Sequence, residues 1–126
     1  MFKIQKIYSK NKALVYANDY SLLTCFEDGI LPGLSDKDFD IEIDINKDLV
    51  WGKNIFHSDD SSLIFQYNGD INTFNGKIIS QLDEELYVLD LQILTIMLEV
   101  RKMPNRVTYV RFMVSETETA AYPVFF

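Results

Sequence analysis

Cysteine and histidine each occur once in these 126 residues, and neither supports the chemistry it usually signals. Cys25 alone cannot close an internal disulfide, the usual staple of small secreted domains, so a reducing compartment is favoured. One thiol and His57 cannot supply the three or four protein ligands that zinc normally takes. No uninterrupted apolar run is long enough to cross a bilayer. The greasiest stretch, residues 86 to 100, contains Asp90, Gln92 and Glu99, whereas a span needs roughly 20 predominantly apolar residues. The opening MFKIQKIYSKNK alternates charge with apolar groups and lacks a signal-peptide core, so the expected location is the cytoplasm, without membrane contact. Neither GxGxxG nor GxxxxGK[ST] occurs, and there is no internal repeat or low-complexity tract, which removes the common phosphate-cradling loops.

What is present is a folding composition. Hydrophobic residues make up 48% of the chain and aromatics 13%, with nine Phe and seven Tyr, enough burial to offset chain entropy. The length predicts one domain spanning residues 1–126. Nineteen acids against twelve Lys and Arg give a net charge of -7, which opposes attraction to nucleic acid backbones and anionic membranes. The charge is uneven. Lys3, Lys6, Lys10 and Lys12 load the first twelve residues with positive charge, while residues 36 to 48 carry six acids against Lys37 and Lys47, a local net of -4.

Short strands are expected at residues 2–8, 12–17 and 20–26, with Asn18 and Asp19 as a turn and 27–38 as a loop. From Asp38 to Ile45 acids fill the even positions and Phe39, Ile41, Ile43 and Ile45 the odd ones, the period of a strand with one wet face. Residues 49–56 form a further strand candidate, in which Gly52 marks a bulge or close backbone approach. Asn68-Gly69 between 62–67 and 70–74 is a hairpin signal, and a second Asn-Gly at 75 and 76 predicts another turn. Residues 83–102 have helix-capping charges at both ends, but the helix would be apolar all round, so two strands or one bent strand are favoured over a helix near 84–100. Residues 107–114 read as a strand, and 121–126 as an apolar end that packs, held to an edge or an extended course by Pro123. Eight to ten such strands predict an all-β chain, an antiparallel β-barrel or sandwich, with an OB-like barrel among the options.

Candidate chemistry is sparse. Asp36, Asp38 and Asp40, and likewise Asp44, Asn46 and Asp48, open like EF-hand loops, but the sixth position is Ile41 or Leu49 and the twelfth Lys47 or Ile55. Both frames therefore fail for calcium. His57 beside Asp59, Asp60, Ser61 and Ser62 has neither a nucleophile elbow nor a separate orienting element. Cys25 sits in LLTCF, where burial would make its thiol inert. No metal, cofactor or enzymatic activity is expected. Lys3, Lys6, Arg101, Lys102, Arg106 and Arg111, with Tyr109 and Phe112, form an alternative reading as a nucleic-acid or small-ligand barrel, against which the net charge argues.

The acidic row is the feature with most content. Like charges at i and i+2 on a strand stand about 7 Å apart and repel, and a dense acidic patch suits a basic partner through steered association. Asp36, Asp38, Asp40, Glu42, Asp44 and Asp48 are the candidate partner-binding residues. In type, a small acidic domain carrying DKDFDIEIDINKD and no catalytic motif resembles the immunity proteins of bacterial toxin and immunity pairs, including those of contact-dependent growth inhibition. The resemblance implies an inhibitor that covers the active site of its own toxin, commonly a basic nuclease. These families differ in fold, so it assigns no residue.

Overall fold

The structure, a computed structural model, describes residues 1–124; the expected packing of Phe125 and Phe126 lies outside the described residues. The chain is all-β, with no α-helix among the described residues. It forms two compact units. One comprises Met1–Asn46, Gln66–Asn72 and the chain from Val114; the other comprises Lys47–Phe65 and Thr73–Met113.

The first unit is built on a five-stranded sheet. Its strands are β1 (Lys3–Ser9), β2 (Lys12–Ala17), β3 (Tyr20–Cys25), β4 (Asp40–Ile45) and β12 (Thr119–Val124), in the order β1-β2-β3-β12-β4. The first three form a meander, and β4 returns after the 3-10 turn Leu31–Leu34 to meet the start of β1. There Phe2 N–H donates to the Phe39 carbonyl (2.6 Å) and Phe39 N–H to the Phe2 carbonyl (3.0 Å). This pair nearly closes the sheet into a barrel, one of the two arrangements expected from strand spacing, although β12 runs parallel to β3 where an antiparallel sheet was expected. Inward residues are mostly small or branched, with one aromatic: Ala13, Val15, Ala17, Leu22, Phe39, Ile41 and Ile43 are all buried. The Asn18 turn forms as expected, with φ of 55°.

Pro123 pairs with Ile41 of β4, yet β12 joins β3 only at Ala120 and Cys25. Past that point β12 has a paired neighbour on one side only, so the missing N–H of proline costs no ladder bond. One buried side chain completes the ladder elsewhere. The Leu23 N–H donates to Asn72 Oδ1 (3.0 Å), and Asn72 Nδ2 donates back to the Leu23 carbonyl (2.8 Å). Asn72 thereby satisfies the Leu23 N–H and makes the shorter of two bonds to the Leu23 carbonyl, which also accepts from Thr119 Oγ1 at 3.5 Å.

The second unit carries β5 (Leu49–Val50), β6 (Ile55–His57), β9 (Leu86–Asp90), β10 (Thr95–Arg101) and most of β8 (Asn72–Gln81) and β11 (Tyr109–Val114), ordered β5-β10-β9-β8-β11-β6. β7 (Ile64–Tyr67) pairs with β8 off this path. Phe74 stacks on Phe112 with ring centroids 5.0 Å apart and tilts against Phe65 at 6.1 Å. The ambiguous segment 83–102 is a hairpin, β9 to β10, with Gln92 at φ of 73° in its turn. Tyr87 and Leu89, then Ile96, Leu98 and Val100, are buried. Of the expected alternatives, the segment takes the form of two strands, not one bent strand or a helix. Gly52 likewise occupies a turn, at φ of 80°, rather than a bulge.

The two Asn-Gly pairs behave differently. Asn68 Oδ1 accepts from the N–H groups of Asp70 (3.0 Å) and Ile71 (2.9 Å), an Asx-type turn with Gly69 at φ of 97°. The second pair is no turn at all. Asn75 and Gly76 lie inside the ten-residue strand β8, where a Cβ on Gly76 would stand 2.8 Å from the Asp90 carbonyl oxygen and from Leu89 Cγ. Glycine is there because β9 passes too close for a side chain. With twelve strands among the described residues, the expected eight to ten was an undercount.

Candidate functional site

The alternation on β4 is realised in the barrel wall. Phe39, Ile41 and Ile43 point inward and are buried, Glu42 and Asp44 are exposed, and Asp40 and Ile45 are half-buried. The six candidate acids do not share one fate. Asp36 is exposed at φ of 60° in the loop before β4. Asp38 lies 3.3 Å from Lys3 Nζ, and Asp40 lies 4.0 Å from the N-terminal ammonium. Asp48 belongs to the other unit and takes a two-pronged contact from Arg101, whose Nε is 3.1 Å from Oδ1. That carboxylate raises the Arg101 pKa above its ordinary value, chiefly by hydrogen bonding, so the guanidinium is held charged.

Glu42 and Asp44 are different. Neither has an ion-pair partner among the described residues. Their neighbour across the ladder is β12, which sets Tyr122 opposite Glu42 and Ala120 opposite Asp44. The adjacent strand thus supplies an aromatic and a methyl group where a lysine would have relieved the repulsion. Tyr122 is 47% exposed, a large amphipathic side chain left at the surface. Beside it is a notch of about 310 Å³ lined by Cys25, Phe26, Glu27, Ala120, Ala121 and Tyr122. Acid, exposed ring and apolar notch share one region of the barrel exterior.

Cys25, expected as a core thiol, is half-buried at the end of β3, and its Sγ donates to the Glu116 carbonyl at 3.3 Å. The outward parity of β3 at that position, opposite Lys12 of β2, accounts for the exposure. His57 Nε2 contacts Asp59 Oδ1 at 2.9 Å on an exposed segment. The neighbouring Ser58 hydroxyl is committed elsewhere, to Asn75 Oδ1. Asp60 is held below the ordinary carboxylate range, first by the Ser62 backbone N–H at 2.8 Å, then by the Ser62 hydroxyl, with a smaller effect from Arg111. Among the described residues no three His, Cys, Asp or Glu side chains converge as metal ligands, and no helix is long and apolar enough to cross a membrane.

Of the cations and rings considered for nucleic acid, Lys6 lies over the Tyr8 ring at 4.8 Å, Arg101 is paired with Asp48, and Phe112 is buried against Phe74. Searches of family models, curated proteins and solved structures find no match to this chain.

Residue-level reading of the sequence missed one feature, a cleft on the β1–β2–β3 face where Tyr16, Tyr20 and Tyr67 line the surface. The signal lies in β2, where Ala13, Val15 and Ala17 alternate with Leu14 and Tyr16. Small residues on one parity of a tightly curved sheet mark the inside, which sends the tyrosine out.

Proposed function

We propose that this chain is an immunity protein, a cytoplasmic inhibitor that binds and neutralises a basic toxin of nuclease type. The observation that carries the reading is the uncompensated pair Glu42 and Asp44 beside exposed Tyr122 on the barrel wall. Repulsion between neighbouring carboxylates that no lysine relieves is offset when a cationic surface docks. An exposed tyrosine at the same place offers the rigid amphipathic contact that interface centres favour. Asp38 and Asp40, already paired with Lys3 and the N-terminus, would form the rim, where charge steers encounter more than it holds the complex. Inhibition by this route needs no catalytic group on this chain, only coverage of roughly 800 Å² of the toxin.

The test begins with the product of the gene adjacent to this one, purified and assayed for nuclease activity. Stoichiometric inhibition by the wild-type protein is expected. The Glu42→Lys, Asp44→Lys double variant should lose inhibition while keeping its thermal transition. Undiminished inhibition by that variant would remove the acidic face from the mechanism.

A further inference from the structure

A cleft in the first unit lies outside the acidic face. It has a volume of about 640 Å³ and is walled by β1, β2, β3 and residues 66 and 67. This size is within the range of small-molecule sites. Outward parity on β2 brings Leu14 and Tyr16 to its floor, with Ser21 in register opposite Tyr16. Ser21 Oγ accepts from Gln66 Nε2 (3.0 Å) and from the Tyr67 N–H (3.4 Å), which fixes the wall against the floor. The Asn18–Asp19 turn closes one end, and Gln5 of β1 lines another side.

The lining discriminates among ligands. Among the described residues no lysine or arginine lines the cleft, and the only carboxylate there is that of Asp19. The two β1 lysines nearest in sequence to Gln5 are engaged elsewhere, Lys3 with Asp38 at 3.3 Å and Lys6 with the Tyr8 ring at 4.8 Å. A phosphate or carboxylate entering the cleft would meet an acid and no cation, so anionic ligands are disfavoured. What remains is a set of neutral hydrogen-bonding groups, the amides of Gln5, Gln66 and Asn18 and the Ser21 hydroxyl, set among tyrosine rings. Amides and hydroxyls both donate and accept, and ring faces take apolar C–H surface. A pyranose presents both: C–H groups on its faces and hydroxyls around its edge.

We propose that this cleft binds a neutral oligosaccharide, with one sugar ring stacked on Tyr16 and its hydroxyls bonded by Gln5, Asp19 and Gln66. The inference is independent of the acidic face, and its test leaves that face untouched. The ¹⁵N-labelled protein is titrated to millimolar concentration with maltotetraose, cellotetraose and chitotetraose, and separately with the single-stranded oligonucleotide dT10. At least one tetraose is expected to shift the amide signals of Tyr16, Ser21, Gln66 and Tyr67, while dT10 leaves them in place. Tyr16→Ala and Gln66→Ala should each weaken binding roughly tenfold with the remaining spectrum preserved, and Tyr16→Phe should retain it. If Tyr16→Ala does not fold, Gln66→Ala carries the comparison alone. No shift with any tetraose, shifts unchanged in Gln66→Ala, or binding of dT10 alone would each overturn the assignment.

Discussion

Two buried asparagines do work that strand pairing leaves undone. Asn72 is fully buried and gives both halves of its amide to Leu23, one strand-like pair of bonds made by a side chain. Asn72→Ala should lower unfolding free energy by about 2 kcal/mol, because it leaves the buried Leu23 N–H unpaired and the Leu23 C=O with only the longer bond from Thr119 Oγ1; urea melts of the two proteins measure this. Asn75 acts similarly in the other unit, where Nδ2 donates to the carbonyls of Asp60 (3.0 Å) and Ser62 (2.6 Å) and so pins the loop after β6. In the same loop, the pKa of Asp60 is lowered on folding, mainly by the Ser62 N–H. A lowered carboxylate pKa contributes stability above the ordinary carboxylate range, and the contribution is lost as pH falls through the folded value. An NMR titration should therefore place the Asp60 midpoint below that of an unstructured aspartate, and Ser62→Pro, which removes the donor, should return it upward. Neither asparagine was legible as a core residue. Their local sequences, DINTF and FNGK, read as turn chemistry, and the partners that bury them are distant in the chain.

Strand parity carried most of the fold at the level of elements. The alternation from Asp38 to Ile45 marks Phe39, Ile41 and Ile43 as inward, although Ile45 at the strand end is half-buried, and β9 and β10 each bury one parity in the register of their hairpin. What local pattern could not supply was the meaning of Asn-Gly. Residues 68 and 69 turn the chain, yet 75 and 76 run straight, and the difference lies in Leu89 and Asp90 pressed against Gly76. Gly76→Ala should destabilise by about 1–3 kcal/mol through overpacking, whereas Gly33→Ala, with nothing within 4 Å of the new methyl, should be nearly neutral. Comparison of their thermal midpoints checks this. The closure of the barrel was equally hidden: Phe2 pairs with Phe39 across 37 residues, and Phe2 is only 3% exposed. Phe2→Ala should cost about 3–5 kcal/mol, read as a lowered denaturant midpoint.

At the scale of the whole molecule the net charge of -7 is a statement about encounter rather than fold. Its sign was legible at once, and so was the acidic row, but the row's division was not. Sequence alone could not show that Lys3 and the N-terminus relieve Asp38 and Asp40, that Arg101 takes Asp48, or that β12 leaves Glu42 and Asp44 beside Tyr122. The central claim is that this unrelieved charge steers and docks a basic partner. Steering acts over a Debye length of roughly 10 Å at 0.1 M ionic strength, so it appears in the association rate and fades with salt. The most direct measurement is the association rate with the adjacent gene's product across a salt series, for the wild type and for the Asp40→Lys, Glu42→Lys, Asp44→Lys triple variant. The account predicts a wild-type rate that falls steeply with salt and a triple variant that is slowest relative to wild type at low salt, both proteins having similar thermal midpoints. Equal rates for the two proteins at every salt concentration would contradict it.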